Sequence, residues 1–188
     1  MHAETLLSFD EIDTPFGKFS ILFNGDILYG ISTELSGDFL EKVFPFYFAK
    51  SYLLPRVKRK RLPETITCQF EKYFSGDADD FRLNTIIDFD EAKSYFSEFE
   101  LTVWKTLRRI PYGETRTYRW LAREIGRPSA QRAVGQALRR NPLPVVIPCH
   151  RIIGSNGSLC GYSLGLELKR RLLMHECYFS RLKPCPSH

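Results

Sequence analysis

Cys149 and His150 stand side by side in Pro148-Cys149-His150-Arg151, which is entered through Val145-Val146-Ile147 and left through Ile152-Ile153-Gly154. A thiol attacks as its thiolate, and an imidazole within hydrogen-bond reach, directly or through one water, can take the proton. The apolar run and the proline before it put that thiol on the floor of a pocket. A lone Cys-His dipeptide is more often a buried cysteine beside a structural histidine, so the surrounding elements decide.

Upstream, Glu98 to Arg109 carries Phe99, Val103 and Leu107 four apart, with Trp104 alongside, as in an amphipathic core helix. Pro111-Tyr112-Gly113 stops it. Thr117 then caps a short helix, Tyr118 to Ile125, and Gly126-Arg127-Pro128 turns the chain. Ser129 is placed to cap the next helix, Ala130 to Arg140, whose Ala130, Ala133, Gly135 and Ala137 allow close approach to a neighbour. Two short helices with a glycine in the turn between them describe a helix-turn-helix. Eight arginines between Arg116 and Arg151 surround the thiol, and the net charge is +5. Both favour a polyanionic partner.

The whole run from Asn141 to Ile153, continued by Gly161-Tyr162-Ser163 and by His175-Glu176, resembles the active site of the O6-alkylguanine-DNA alkyltransferases, the methylated-DNA–protein-cysteine methyltransferase family. The resemblance is strong over the second half of the chain and loose over the first. It implies direct, irreversible, single-turnover transfer of an alkyl group from O6-alkylguanine in double-stranded DNA to Cys149. In it His150 is the base, acting through a water, Glu176 orients the imidazole, and Tyr118 helps rotate the phosphate and gives a proton to the purine. It puts the second helix in the minor groove, with Arg132 filling the stack where the base is turned out, and Ser129, Gln131, Ala133 and Arg139 beside the DNA. Asn141 supports the loop. Pro144, Arg151, Tyr162, Ser163 and Leu164 bound the substrate pocket, the larger Leu164 narrowing it against benzyl-type substrates.

No cofactor is implied. The resemblance leaves one rival, a binder of alkylated DNA that flags lesions without repairing them; such relatives have tryptophan where Cys149 stands. A major-groove transcription factor would have no use for the thiol, and a cysteine hydrolase would need its histidine from elsewhere, whereas His2 and His188 sit at the termini. The Cys and His spacings match no common zinc pattern, and no metal is expected.

The first half reads as scaffold. Phe16 to Phe23 and Ile27 to Ile31 are strands joined at Asn24-Gly25-Asp26, a hairpin signal; Phe81 to Leu83 is a further short strand. Glu64 to Phe74 has Ile66, Phe70 and Tyr73 or Phe74 at helical spacing, and Gly37 to Lys50 is a second helical candidate. Lys58-Arg59-Lys60-Arg61 reads as a solvated face. The expected fold is mixed α/β of the α+β kind: a small supporting domain with a short antiparallel sheet over 1–92, a mostly helical DNA-binding and transfer domain over 93–177 ending in a helix from Leu166 to Cys177, and a loose tail over 178–188. With no membrane-length apolar run and no leader pattern, the reading is a cytoplasmic monomer.

Overall fold

The strand alternation of the first half builds a five-stranded sheet in the order Val57–Arg59, Leu7–Thr14, Gly17–Asn24, Ile27–Ser32, Asn84–Thr85. A computed structural model describes residues 7–36, 39–40, 57–77, 81–82, 84–85 and 96–182. β1 (Leu7–Thr14), β2 (Gly17–Asn24) and β3 (Ile27–Ser32) form an antiparallel meander, and the hairpin turns at Gly25 with φ of 56°. β4 (Val57–Arg59) joins β1 and β5 (Asn84–Thr85) joins β3, both parallel.

Along β2 the side chains alternate between two apolar layers. Phe19, Ile21 and Phe23 enter the main core, while Leu22 joins Leu7 and Phe39 on the other face. Sequence reading missed β1, whose Asp10, Glu11 and Asp13 obscure the pattern. Those carboxylates have work at the sheet edge, where Arg59 pairs with Asp10 and Glu11. Part of the basic run Lys58 to Arg61 is therefore an edge strand. The strand expected at Phe81 to Leu83 falls later, at Asn84–Thr85; Phe81 is buried against Phe70 and Tyr73. Of the Gly37 to Lys50 candidate, only Phe39 and Leu40 are described, as helix, and the boundary at 92/93 lies outside the described residues.

α1 (Glu64–Ser75) covers the sheet with Ile66, Phe70 and Tyr73 and ends at Gly76, φ 81°. α2 (Glu98–Leu107) opens with a full capping box between Ser97 and Glu100, each satisfying an orphan amide of the other. It buries Leu101, Val103, Trp104 and Leu107, and the Trp104 indole donates to the Ala137 carbonyl at 2.8 Å. α3 (Tyr118–Glu124) is capped by Thr117, and α4 (Gln131–Arg139) follows. Ser129 does not cap α4: the N-cap is Ala130, with no side-chain cap bond, and Gln131 instead donates back to the Pro128 carbonyl.

α5 (Leu166–Leu182) corrects the sequence reading at its C-terminal end. It continues through Tyr178 to Leu182, so the first part of the expected loose tail is helical. The buried face is Leu168, Lys169, Leu172 and Glu176, whereas Leu166 is exposed. Two buried polar anchors, Lys169 and Glu176, share that face with Leu168 and Leu172. Its Phe179 lies against the end of α1, where a Cβ on Gly76 would come within 2.1 Å of the ring. Gly76→Ala must strain a left-handed backbone and displace Phe179, and is expected to cost about 2 kcal/mol or more in urea unfolding.

Candidate active site

Asn141 to Arg151 is a wholly buried loop leaving α4, and its ten peptide groups must find partners indoors. Backbone bonds within the loop and from Ile31 supply part of the answer, and the Asn141 side chain supplies two more partners. Its Oδ1 accepts from the Leu143 amide, and its Nδ2 donates to the Ile147 carbonyl and to Cys149 Sγ, each at 3.0 Å. Sequence reading gave it only the backbone role. Val145 holds φ at 76°, an unfavourable place for a β-branched residue, and Pro144 bridges to Ile147 across that bend. Cys149–Arg151 then forms a single 3-10 turn running into β7 (Ile152–Ile153).

β7 pairs in parallel with β6 (Arg116–Thr117), which leads directly into Tyr118. The two-stranded ladder thus fixes Tyr118 relative to Cys149. Both line a cavity of about 490 Å³, with Gly135, Leu138 and Arg139 of α4 on one side and Gly161, Tyr162 and Ser163 on the other. Pro144 and Leu164 lie outside that wall: Pro144 is buried behind it, and Leu164 packs on the core. The Tyr118 phenol is pushed up to about 12, by burial and then by the nearby Cys160 and Cys149 thiols, so it keeps its proton at neutral pH.

Behind the thiol sits a fully buried polar cluster. Glu176 Oε1 lies 2.8 Å from His150 Nε2, and its two oxygens accept from Arg151 Nη2 at 3.0 Å and Nε at 2.9 Å. Tyr73 donates to Oε1 at 2.6 Å and the Gly113 amide to Oε2 at 3.2 Å. Burial alone would raise the glutamate, but His150 and Arg151 outweigh it and hold the carboxyl well below the usual range. Burial lowers His150 despite the carboxylate beside it, so the ring is neutral at pH 7. A carboxylate at Nε2 requires that nitrogen to carry the proton. Nδ1, buried and without a partner among the described residues, is left as the acceptor.

Sequence reading brings Arg151 to the pocket through its backbone carbonyl, and its side chain is not part of the cavity wall. The guanidinium is buried, forked onto Glu176 and donating to the Ile110 carbonyl at 2.6 Å. Among the described residues, Lys169 is a second buried cation. Its ammonium donates to the carbonyls of Ile152 and Leu159 at 2.5 Å, with Gly161 at 3.5 Å, so it pins the loop that carries the far wall of the cavity. Sequence reading missed Tyr73 and Lys169 as site residues; a lysine on the apolar side of α5 was the only available signal. On the outer face, Arg132, Ala133, Ser129 and Arg139 are exposed and Gln131 is half-buried.

Residues 98–178 match the family model described as the DNA binding domain of 6-O-methylguanine DNA methyltransferase. A methylated-DNA–protein-cysteine methyltransferase of Methanosarcina barkeri is 45% identical over 120 residues, 64% of this chain and 72% of that one. One from Salmonella typhimurium is 35% identical over 170 residues, covering 90% and 95%. The crystal structure of Mycobacterium tuberculosis OGT in complex with DNA superposes with a TM-score of 0.72 at 30% identity, over 93% of this chain and 94% of that one.

Proposed function

Because the chain belongs to the methylated-DNA–protein-cysteine methyltransferase family, we propose that it repairs DNA by moving an alkyl group from O6 of guanine onto its own Cys149. The observation that carries this reading is a thiol on the floor of a base-sized cavity, held by Asn141 and backed by a neutral, oriented imidazole.

The step is an in-line displacement. Cys149 sulfur attacks the alkyl carbon, a carbon–sulfur bond forms, the carbon–O6 bond breaks, and its electron pair goes to the purine. The thiol proton passes to His150 Nδ1, directly or through a water. The purine anion takes a proton from Tyr118, and the proton held by the His150 imidazolium returns through water to the phenolate, so the thiol and the lesion account for every atom. The product is a thioether with no activated bond for water to cleave, and each molecule acts once. It needs no cofactor.

The guanine must leave the duplex to reach this floor, at a cost of a few kcal/mol that a side chain filling the stack offsets. Arg132, exposed at the first turn of α4, is well placed for that role. α4 also contributes Gly135 and Arg139 to the cavity mouth, which supports its approach along the minor groove, where the sequence code is degenerate. Tyr118→Phe keeps the ring and loses the proton. We expect it to slow transfer about 10²-fold or more, with lesion binding little changed, in single-turnover assays.

The reading is tested by mixing the protein with a duplex holding one O6-methylguanine and measuring intact and peptide mass. One methyl group per molecule on the peptide containing Cys149 is expected. Tight lesion binding with no change in mass would replace the reading with that of a non-catalytic lesion binder.

A further inference from the structure

Tyr73 lies on α1, in the half of the chain that sequence reading assigned to scaffold, 103 residues from Glu176 in sequence. Its neighbours Phe74, Phe81 and Tyr112 would pack as well around a phenylalanine. The hydroxyl is what the packing does not explain. It is buried and donates at 2.6 Å to the same carboxylate oxygen that faces His150 Nε2.

The backbone of Tyr73 is held from the same helix. His175, next to Glu176 on α5, donates Nε2 to the Tyr73 carbonyl at 3.3 Å. One residue of α1 is thus clamped on both sides by a consecutive pair of α5.

Resting on the alkyl-transfer reading of this site, we propose that Tyr73 is a positioning residue for that reaction, through which the N-terminal domain holds the carboxylate that orients His150. The hydroxyl shares Glu176 Oε1 with His150 and Arg151 and so divides its negative charge among three donors. Without it, Oε1 pulls harder on the imidazole and favours imidazolium. An imidazolium cannot take the proton of Cys149. The other ionisable groups around this pair are Arg151 on the 3-10 turn, Tyr112 beyond α2, Lys169 on α5, and Cys149 and Tyr162 at the cavity. Neither buried cation is free to replace the lost donor: Arg151 is already forked onto the carboxylate and Lys169 is spent on three carbonyls.

The test compares wild type, Tyr73→Phe and Phe70→Leu, the last a packing control on the same helix with no bond to Glu176. Nitrogen NMR follows the His150 ring against pH without DNA, and single-turnover formation of S-methylcysteine is followed over the same range. In Tyr73→Phe the ring midpoint and the acid limb of the rate are expected to rise together by about one pH unit. Phe70→Leu is expected to lower stability and move neither. Superimposable wild-type and Tyr73→Phe curves, a uniform drop in rate with an unmoved midpoint, or an equal displacement in Phe70→Leu would overturn the proposal. Absence of transfer in the wild type would instead count against the reading of the reaction, and the ring titration would still decide the role of Tyr73.

Discussion

Cys149→Ser is expected to bind an O6-methylguanine duplex about as tightly as wild type and to gain no methyl group, a loss in rate on the order of 10⁴-fold or more. The fold should tolerate the change, because the Asn141 amide that donates to Sγ can donate to a hydroxyl oxygen in the same place. The chemistry should not. A serine hydroxyl is a far weaker nucleophile at neutral pH than a thiol, and a neutral imidazole that suffices to deprotonate sulfur leaves an alcohol almost wholly protonated. Urea unfolding of the variant within about 1 kcal/mol of wild type, alongside mass spectra with no adduct, would separate loss of chemistry from loss of fold. Residual methyl transfer in the variant would mean that another residue accepts the group.

How much of this was legible beforehand follows from where the information lies. The helix-turn-helix, the cap at Thr117 and the Cys149-His150 pair are local: each is carried by neighbours in sequence, and each is found in its expected element. The antiparallel hairpin at Gly25 was legible for the same reason. The partners of Glu176 are not local. They come from α1, from the Pro111-Tyr112-Gly113 turn and from the 3-10 turn, and no spacing brings Tyr73, Gly113 and Arg151 together in sequence.

Arg151 shows the difference most clearly. Next to a catalytic histidine in a DNA-binding segment, an arginine reads as a surface or pocket cation, because a buried guanidinium is costly without a carboxylate partner. The partner exists, 25 residues later on α5, and only the fold supplies it. The same long-range bonds explain why two charged residues lie on the buried face of α5. Lys169 and Glu176 point inward beside Leu168 and Leu172 because carbonyls and donors wait for them.

That cluster carries the other large effect. Arg151→Met keeps much of the side-chain volume, removes two donors from Glu176 and strips the Ile110 carbonyl of its partner. A buried carboxylate short of its cation is expected to cost about 3–5 kcal/mol of stability, and rotation of the freed Glu176 should lower the transfer rate as well. The double variant Arg151→Met with Glu176→Gln should recover part of the loss, since no uncompensated charge then remains. The pH dependence fixes the sign. Glu176 is held below its ordinary value, so its contribution is fully present above about 4.3 and is lost as pH falls toward the folded value. His150 is also lowered, because the fold favours the neutral ring; its contribution is present above about 6.5 and is lost as pH falls through its folded value. Both groups therefore make wild type weaken on acidification. Removing Arg151 takes away one cause of the low Glu176 value, so the carboxylate part of that weakening should be smaller, and complete at higher pH, in Arg151→Met. Urea midpoints taken from pH 7 down to pH 3 would show it, and parallel curves for variant and wild type would mean that Arg151 does not set the charge of Glu176.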